Sequence, residues 1–553
     1  MNHSTSIYTT RLKEKYIRLR NRLSRATASG KFYQNPPKSR TRLVERLQRY
    51  ERRLQRMGIT VATVTSLFLG AITNVEAQID FVGQEVQVNT HTIDGQRFPH
   101  VAMSDNGEYV VTWASEGQDG DGLGIFMQRY HADGSAAGSE MQVNASTSHD
   151  QTSPSVAMDS SSNFVITWCS RGSFSDGTFG TFAQRYDTDG MPVGGEILLS
   201  TSTAGSLMGS DVAMHADGSF VATWQNNDQD GDEGGVFARR VAADGTLLGD
   251  EFQVNDSTSG SQERPSIAMD AQGNFVIVWH STDLTGDDRA IVAKQFAADG
   301  TPIGSEFKVN ASTTGYQIFP SVAMDDSGNF IVSWTGSGLD PEVGGILAQR
   351  FLPDATPNGS EFQVSTNPPS TVSFSEIAMH PNGAFIVTWD GPNMDGDFRE
   401  IHVQGYGADA TKVGDEIWVN TYTTDAQWVP SIAMNADSSI IIAWEGDTQD
   451  GDSHGIFAQR LSMSDSGPVS VFSPVADKVT LSISPNPADR VVRIEDVGIE
   501  ISIYSLTGEL ITKHHPQEGT TLHLDVEELP QGIYLVSSRM SDGTLRQARF
   551  VKR

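Results

Sequence analysis

The 553-residue chain contains a single cysteine, Cys169, so neither an intramolecular disulfide nor a cysteine-based zinc site can form. It also lacks the His-Glu-x-x-His motif of zinc proteases. Charged residues make up only 20% of the chain, hydrophobic residues make up 37%, and there are 53 glycines. That composition argues against a disordered chain and is typical of an all-β protein with many turns.

Basic residues are scarce beyond the N-terminal segment. Residues 1–57 carry 16 Lys and Arg against three acids, whereas the remainder carries 23 basic and 66 acidic residues. We therefore expect an acidic mature protein that repels phosphates, which makes nucleic acid an unsuitable partner. The same surface attracts multivalent cations.

An export signal follows the basic segment. The apolar run Ile59–Thr73 comes after Arg52, Arg53 and Arg56, and small residues precede a cleavage point after Ala77. This order predicts a signal peptide over residues 58–77, with an uncleaved anchor as the alternative. The run is short for a membrane span, so we expect none in the mature protein. Residues 1–57 form a basic extension, unless translation starts at Met57.

One stretch of sequence returns seven times between residues 84 and 472. Its anchors are seven tryptophans spaced 55 or 56 residues apart: Trp113, Trp168, Trp224, Trp279, Trp334, Trp389 and Trp444. Each copy holds four short apolar runs, which in the fifth copy are 320–325, 329–334, 346–351 and 361–364. Asp-Gly or Asn-Gly pairs between several of these runs predict tight hairpins.

Four antiparallel strands repeated seven times predict a seven-bladed β-propeller, with an open solenoid as the alternative. The chain enters on an outer-type strand, Glu85–Val88, and its last repeat lacks a good fourth strand. We therefore expect Glu85–Val88 to complete the last blade and close the ring, with Val469–Phe472 as a rival candidate. The seven tryptophans end apolar strands, so we expect them in the core and not on a carbohydrate platform.

The longer loops of such a propeller share one face, which is the better candidate for function. Most of these loops carry alternating acids, typical of the hard oxygen ligands of calcium. The alternative is that Asp-Gly-Asp simply forms turns. The calcium candidates are Asp119, Asp121, Asp228, Asp230, Asp232, Asp395, Asp397, Asp447, Asp450 and Asp452.

The second feature of this face is variation near the axis. The residue that opens the innermost strand is serine in four copies, but His100, Asp211 and Glu376 in the other three. Aromatic residues stand beside these positions, with Trp428 in an expected loop next to Val429-Pro430. The ligand-binding candidates are therefore His100, Asp211, Glu376, Phe98, Phe319, Phe374 and Trp428.

After a linker at 473–477, alternating apolar runs predict a small β-sandwich over residues 478–553. Four segments carry a resemblance: Ser484–Pro487, Ile503–Gly508, Leu529–Tyr534 and Phe550–Arg553. They resemble the type A C-terminal sorting domain of type IX secretion in Gram-negative bacteria. That resemblance implies passage across the outer membrane, handling by the secretion machinery, and attachment to the surface or release.

The repeats are similar to tandem units of large secreted bacterial proteins, which implies little beyond secretion. His100, Asp211 and Glu376 lie in copies 1, 3 and 6, so we expect them to be scattered around the ring. We therefore expect no catalytic residues, and a surface or extracellular module that binds a glycan or protein ligand, as in adhesion. The alternatives are a secreted hydrolase or lyase acting on polysaccharide, and a passive structural protein.

Overall fold

The computed structural model describes residues 78–171, 179–202, 207–227, 229–282, 289–311, 315–340, 343–366, 373–392, 399–464, 482–484, 491–497, 500–505, 510–514, 516, 520–526, 529, 532–539 and 545–552. The predicted N-terminal extension, signal peptide and linker lie outside these residues, as do Val469–Phe472, Asp228, Asp395 and Asp397. In the part described, every regular element is a β-strand. No helix there has the length and apolar character that a membrane span requires.

The chain divides into two compact units, of which residues 76–467 form the first. This unit begins with strand β1 (Ile79–Gln87) and continues with six complete four-stranded sheets, blades 1 to 6.

The strands of blades 1 to 3 are β2 (Gln96–Met103), β3 (Tyr109–Glu116), β4 (Leu123–Tyr130), β5 (Met141–Gln142), β6 (Gln151–Met158), β7 (Phe164–Arg171), β8 (Phe179–Tyr186), β9 (Pro192–Leu198), β10 (Leu207–Met214), β11 (Phe220–Asn227), β12 (Gly234–Val241) and β13 (Phe252–Gln253). The strands of blades 4 to 6 are β14 (Gln262–Met269), β15 (Phe275–Ser281), β16 (Ala290–Phe296), β17 (Pro302–Lys308), β18 (Gln317–Met324), β19 (Phe330–Asp340), β20 (Val343–Phe351), β21 (Phe362–Gln363), β22 (Ser375–Met379), β23 (Phe385–Pro392), β24 (Arg399–Tyr406) and β25 (Lys412–Trp418).

Blade 7 closes the ring in the way the sequence predicts. Its strands β26 (Gln427–Met434), β27 (Ser439–Asp447) and β28 (His454–Met463) are completed by β1, which pairs antiparallel with β28. Ile79 lies opposite Met463, and the Val88 amide donates to the Ile456 carbonyl at 2.8 Å. The predicted seven-bladed propeller is therefore confirmed, and the first strand of the fold covers the free edge of the last blade.

Apolar side chains fill the spaces between blades. Seven core clusters each take residues from two neighbouring blades, including a pair formed by blades 7 and 1. The seven repeat tryptophans are at most 1% exposed and belong to these clusters, which confirms that they are core residues. Packing between the blades thus holds the innermost strands around one axis.

The second unit includes residues 468–553 and forms two antiparallel sheets. One contains β29 (Ser482–Ser484), β30 (Val491–Val497) and β33 (Thr520–Asp525); the other contains β31 (Glu500–Ser505), β32 (Leu510–His514), β34 (Gly532–Arg539) and β35 (Leu545–Lys552). Ile494 and Leu524 of the first sheet pack in one cluster with Ile501, Ile503 and Val536 of the second. The β-sandwich itself stays a prediction.

Candidate functional site

The innermost strands of all seven blades line one cavity on the propeller axis, with a volume of about 190 Å³. We call it the axial cavity. Six of the seven predicted ligand-binding residues lie in its lining: Phe98, His100, Asp211, Phe319, Phe374 and Glu376. Trp428 does not line it, although its neighbour Val429 does. The variable positions of the repeat therefore come together at one place.

A backbone irregularity near the start of each inner strand positions the outer layer of this cavity. Its mouth ring consists of Phe98, Ser153, Gly209, Arg264, Phe319, Phe374 and Val429. Six of these residues have positive φ, between 45° and 60°, and the same six lie where the strand register shifts. Such bulges re-aim side chains, and the left-handed conformation is costly for a β-branched residue such as Val429. Phe98 and Phe319 therefore lie inside β2 and β18, while Phe374 directly precedes β22.

Aromatic side chains form one wall of the mouth. The ring centroids of Phe319 and Phe374 are 4.5 Å apart, and the Arg264 guanidinium lies 5.6 Å from the Phe319 centroid. The His280 ring meets Phe319 edge-on at 6.0 Å. Phe98, on blade 1, is 38% exposed and faces the same opening. The mouth thus offers apolar ring faces next to a single cationic group.

Below the mouth lies a polar inner ring that consists of His100, Ser155, Asp211, Ser266, Ser321, Glu376 and Ser431. Ser155 and Ser321 do not line the cavity but donate hydrogen bonds to Asp211 and Glu376. Five of its members accept a hydrogen bond from a backbone amide of the next blade. These bonds are Val156 to His100 Nδ1 at 3.2 Å, Ile267 to Asp211 Oδ2 at 2.9 Å, Val322 to Ser266 Oγ at 3.4 Å, Ile377 to Ser321 Oγ at 3.3 Å and Val101 to Ser431 Oγ at 3.1 Å. The inner ring therefore links the blades, and five of its members also line the cavity.

The three residues that break the repeat symmetry converge, contrary to the expectation that they are scattered around the ring. His100 Nε2 lies 3.9 Å from Asp211 Oδ1, and the charge of Asp211 acts on Glu376. The sequence separates these residues by whole blades, but the inner strands meet near the axis, where distances around the ring are short. The expectation of no catalytic residues rested on their being scattered, and that argument no longer holds.

Burial gives these groups unusual protonation states. Burial, and after it the negative charge of Asp211, raises the pKa of Glu376 to about 8, while a hydrogen bond from Ser321 opposes the shift. Burial also lowers the pKa of His100, against the attraction of Asp211. At neutral pH the site thus holds a protonated carboxyl and an uncharged imidazole.

A second variable position of the repeat, which the sequence analysis did not single out, supplies hydrogen-bond acceptors to the backbone of the mouth ring. It is the residue after each repeat tryptophan, which differs in all seven copies: Ala114, Cys169, Gln225, His280, Thr335, Asp390 and Glu445. Glu445 accepts the Phe98 amide at 2.6 Å, and Asp390 accepts the Phe374 amide at 2.8 Å. Burial raises the pKa of Glu445 to about 7. The signal was available, because an otherwise regular repeat holds seven different residues at one position.

Trp428 lies within β26 and not in the expected loop, because the inner strand starts before the Val429-Pro430 pair. The Arg399 guanidinium lies 4.7 Å from its ring centroid and also pairs with the buried Asp390 carboxylate. The side chain therefore belongs to a neighbouring cation–aromatic cluster, outside the lining of the axial cavity.

The acidic loops have hydrogen-bonding roles at the outer parts of the blades. In three loops, the first Asp of the Asp-Gly-Asp sequence accepts a hydrogen bond from the side-chain amide of a buried asparagine. These bonds run from Asn144 to Asp119 at 3.0 Å, from Asn255 to Asp230 at 3.2 Å and from Asn89 to Asp450 at 3.1 Å. The second accepts a backbone amide of another loop: His149 to Asp121 at 3.1 Å, Gly260 to Asp232 at 3.0 Å and Asp94 to Asp452 at 3.1 Å. Asp447 ends β27.

These loops favour the turn interpretation without testing calcium. Within the described stretches of the chain, no three His, Cys, Asp or Glu side chains gather in a way that could hold a metal ion. Asp228, Asp395 and Asp397, which belong to the same set of candidates, lie outside the described residues. Calcium binding stays a prediction.

A serine-hydrolase-like motif occurs in the last blade. Gly451–Gly455 has the G-x-S-x-G spacing of some serine hydrolases, and Ser453 Oγ lies 3.0 Å from His454 Nδ1. The motif spans the end of the loop after β27 and the first two residues of β28, so it does not lie between a strand and a helix. The strained strand-to-helix turn that exposes a serine nucleophile is therefore missing from this described loop, and we assign no nucleophile to it.

Comparison with known proteins identifies a family at the C-terminal end. Residues 474–552 match the family described as the secretion system C-terminal sorting domain. The chain therefore carries a type IX secretion sorting tail, as the sequence predicts. The tail implies interaction with the secretion machinery and export to the cell surface or the surrounding medium. No curated protein matches the chain.

Several solved structures are distantly similar. One is a protein of unknown function from Dyadobacter fermentans, at 10% identity and a TM-score of 0.43, covering 70% of this chain and 99% of that one. Another is a thermostable family-43 glycoside hydrolase, at 14% identity and a TM-score of 0.31, covering 52% and 100%. A third is an α-L-arabinofuranosidase from Fusarium graminearum bound to an iminosugar inhibitor, at 10% and 0.37, covering 68% and 97%. Likenesses this distant carry no argument about the chemistry of the site.

Proposed function

We propose that this exported propeller is a saccharide-binding protein that takes one sugar ring into its axial cavity. Export rests on the sorting tail at residues 474–552. The observation that carries the binding proposal is the convergence of aromatic faces and unlike polar groups in one cavity of about 190 Å³. Pockets of this kind, apolar with a few placed polar groups, are the usual sites of small-ligand binding.

The size of the cavity supports a ligand of one ring. A cavity of roughly 150 Å³ in a protein core accepts benzene, and pockets for drug-sized ligands begin at about 300 Å³. The axial cavity, at about 190 Å³, falls between these sizes. A terminal sugar unit suits it better than a folded protein surface does.

The polar groups of the inner ring suit hydroxyl groups, which both donate and accept hydrogen bonds. Because His100 Nδ1 accepts the Val156 amide, the neutral ring carries its proton on Nε2 and can donate there. Glu376 is protonated at neutral pH and can donate, while Asp211 offers carboxylate oxygens as acceptors. Phe98 and Phe374 present faces on which the C–H side of a sugar ring can pack.

A glycan array followed by titration calorimetry on the full chain tests this proposal. We expect a glycan to bind, and we expect Phe374→Ala and His100→Ala each to weaken that glycan about tenfold, equivalent to about 1.4 kcal/mol. Trp418→Ala is the matched control, because Trp418 is 44% exposed on the outer strand β25 and lies away from the cavity. It should leave the affinity unchanged.

Two outcomes would contradict the proposal. If Trp418→Ala weakens binding as much as Phe374→Ala, the ligand contacts the rim of the propeller in the manner of an adhesion surface. If no glycan on the array binds, saccharide binding is rejected, and a protein ligand or a passive structural role becomes the better hypothesis.

A further inference from the structure

Blades 3 and 6 depart from the other five at the axis in the same way. Their inner strands lack the proline of the repeat and carry serine there, at Ser210 and Ser375. At the next position they carry the two acids of the inner ring, Asp211 and Glu376, where four other blades have serine. Blades 3 and 6 thus supply the two carboxyl groups that line the cavity among the described residues.

The surroundings of these two carboxyl groups differ sharply. Asp211 accepts hydrogen bonds from the Ser155 hydroxyl at 2.8 Å and from the amides of Ile267 and Val212 at 2.9 Å each. Both of its carboxyl oxygens therefore accept hydrogen bonds from the surrounding blades. Glu376 accepts a hydrogen bond only from Ser321 among the residues described, through Oε2, so its Oε1 is available to a ligand. Burial beside Asp211 keeps this carboxyl protonated up to a pKa of about 8.

We propose that Asp211 and Glu376 cleave the glycosidic bond of the saccharide that enters the axial cavity, an inference that rests on the proposed function. Glu376 gives its proton to the glycosidic oxygen as the bond from that oxygen to the anomeric carbon breaks. A water oxygen bonds to the anomeric carbon, and the proton of that water passes to Asp211. One water is consumed, and proton exchange with solvent restores both carboxyl groups.

The other charged and titratable groups that line the cavity fit this division of roles. His100 is neutral because burial lowers its pKa, so it orients a hydroxyl without competing as an acid. Arg264 lies in the mouth ring against Phe319, on the wall and not among the inner-ring acids. Acid-assisted acetal hydrolysis requires one protonated carboxyl group and a second carboxyl group in the same site, and the cavity lining supplies both residues.

The test uses the full chain and a panel of 4-methylumbelliferyl glycosides of pentoses, hexoses and uronic acids, together with the glycan found on the array. We expect hydrolysis of one glycoside class. Glu376→Gln should lower the rate on the natural glycan about a hundredfold or more, because its alkoxide leaving group needs a proton. The rate of hydrolysis of the umbelliferyl glycoside should fall much less, because its phenolic leaving group departs with little help from an acid. Asp211→Asn should lower both rates.

Folding and binding are measured on the same variants, with exposed Glu233→Gln as the control for charge on the loop face. Glu376→Gln replaces a protonated carboxyl with a neutral group of similar shape that can still donate a hydrogen bond. We therefore expect it to fold, with a melting temperature at neutral pH no lower than that of the wild type, and still to bind the glycan. The wild-type rate should fall as pH rises through about 8, and this limb should disappear in Glu376→Gln.

Glycan binding without hydrolysis would reject catalysis and leave the proposed function intact. Absence of both binding and hydrolysis would reject both. Hydrolysis that persists in Glu376→Gln with equal loss on the two leaving groups would show that another residue supplies the proton.

Discussion

His100 Nε2 lies 3.9 Å from Asp211 Oδ1, although the whole of blade 2 stands between their blades in the ring. The contact arises because the inner strands come close together at the axis. Ser155 of the intervening blade and the Ile267 amide of blade 4 both donate to Asp211, so four consecutive blades meet at one carboxyl group. Several expected outcomes follow from this arrangement.

Asp211→Ala should lower the free energy of unfolding by about 2 kcal/mol or more, because it leaves the Ile267 amide and the Ser155 hydroxyl without their acceptor. Asp211→Asn retains one oxygen and should lose less. Urea unfolding at neutral pH measures both values. The control is Asp105→Asn at an exposed turn residue, which should stay within about 0.5 kcal/mol of the wild type. Equal losses at the two sites would show that the axial hydrogen bonds contribute nothing.

Stability should fall as pH rises from about 4.5 towards 8. Glu376 holds its proton in the folded protein up to a pKa of about 8, whereas the unfolded chain releases it near the ordinary value of 4.5. Within this window the unfolded chain therefore gains by ionisation, at about 1.4 kcal/mol per pH unit. Glu376→Gln cannot ionise, so its stability should decline less.

The difference between wild type and Glu376→Gln isolates this carboxyl, because Glu445, whose pKa burial raises to about 7, contributes equally to both proteins. Unfolding free energies at pH 5 and pH 8 give the comparison. Parallel pH profiles for the two proteins would contradict a raised pKa at Glu376.

Removal of residues 78–88 should open the propeller. Without β1, strand β28 exposes the backbone groups that pair with Ile79–Gln87, and the buried Val88 is lost from the cluster between blades 7 and 1. We expect a loss of several kcal/mol of stability and a tendency to aggregate. A chain that begins at Gln78 is the control. Addition of a peptide with the sequence of residues 78–88 should raise the melting temperature of the shortened chain but not of the control.

Asp450→Ala should lower stability by about 1 kcal/mol, because Asp450 accepts a hydrogen bond from the side-chain amide of Asn89, whose Oδ1 accepts the Ile456 amide at 2.7 Å. The same variant tests calcium. If the folded loops bind calcium, excess EDTA lowers the melting temperature of the wild type and has a smaller effect on Asp450→Ala. An EDTA-insensitive wild type would reject the calcium hypothesis and leave the hydrogen-bonding role.

The seven-bladed ring can be predicted from the sequence because each blade corresponds to one sequence repeat. Regular tryptophan spacing and four strand-length runs per copy determine the number of blades, and the missing last strand identifies β1 as its substitute. The same pattern predicts which positions reach the mouth, such as Phe98 and Phe319. It does not predict how far from the axis each residue lies. The meeting of His100 with Asp211, and the support of Phe98 by Glu445, depend on distances that spacing along the chain does not contain.

The role of the acidic residues in the long loops could not be predicted from the sequence either. Their alternation is visible in the sequence, but their hydrogen-bond partners are not, because Asn89 and Asp450 lie near opposite ends of the propeller sequence and meet only in the closed ring. A pattern of carboxylates alone is compatible with a cation or with hydrogen-bond donors. Only the three-dimensional neighbours distinguish the two roles.

The pairing of β1 with β28 also imposes an order on biosynthesis. The strand that leaves the ribosome first has no partner until Met463 has been made, so its backbone groups stay open throughout synthesis of all seven repeats. A chain that stops before β28 leaves β1 without its partner strand. Ring closure therefore acts as a test of chain completeness, which only a full-length propeller passes before the sorting tail follows it.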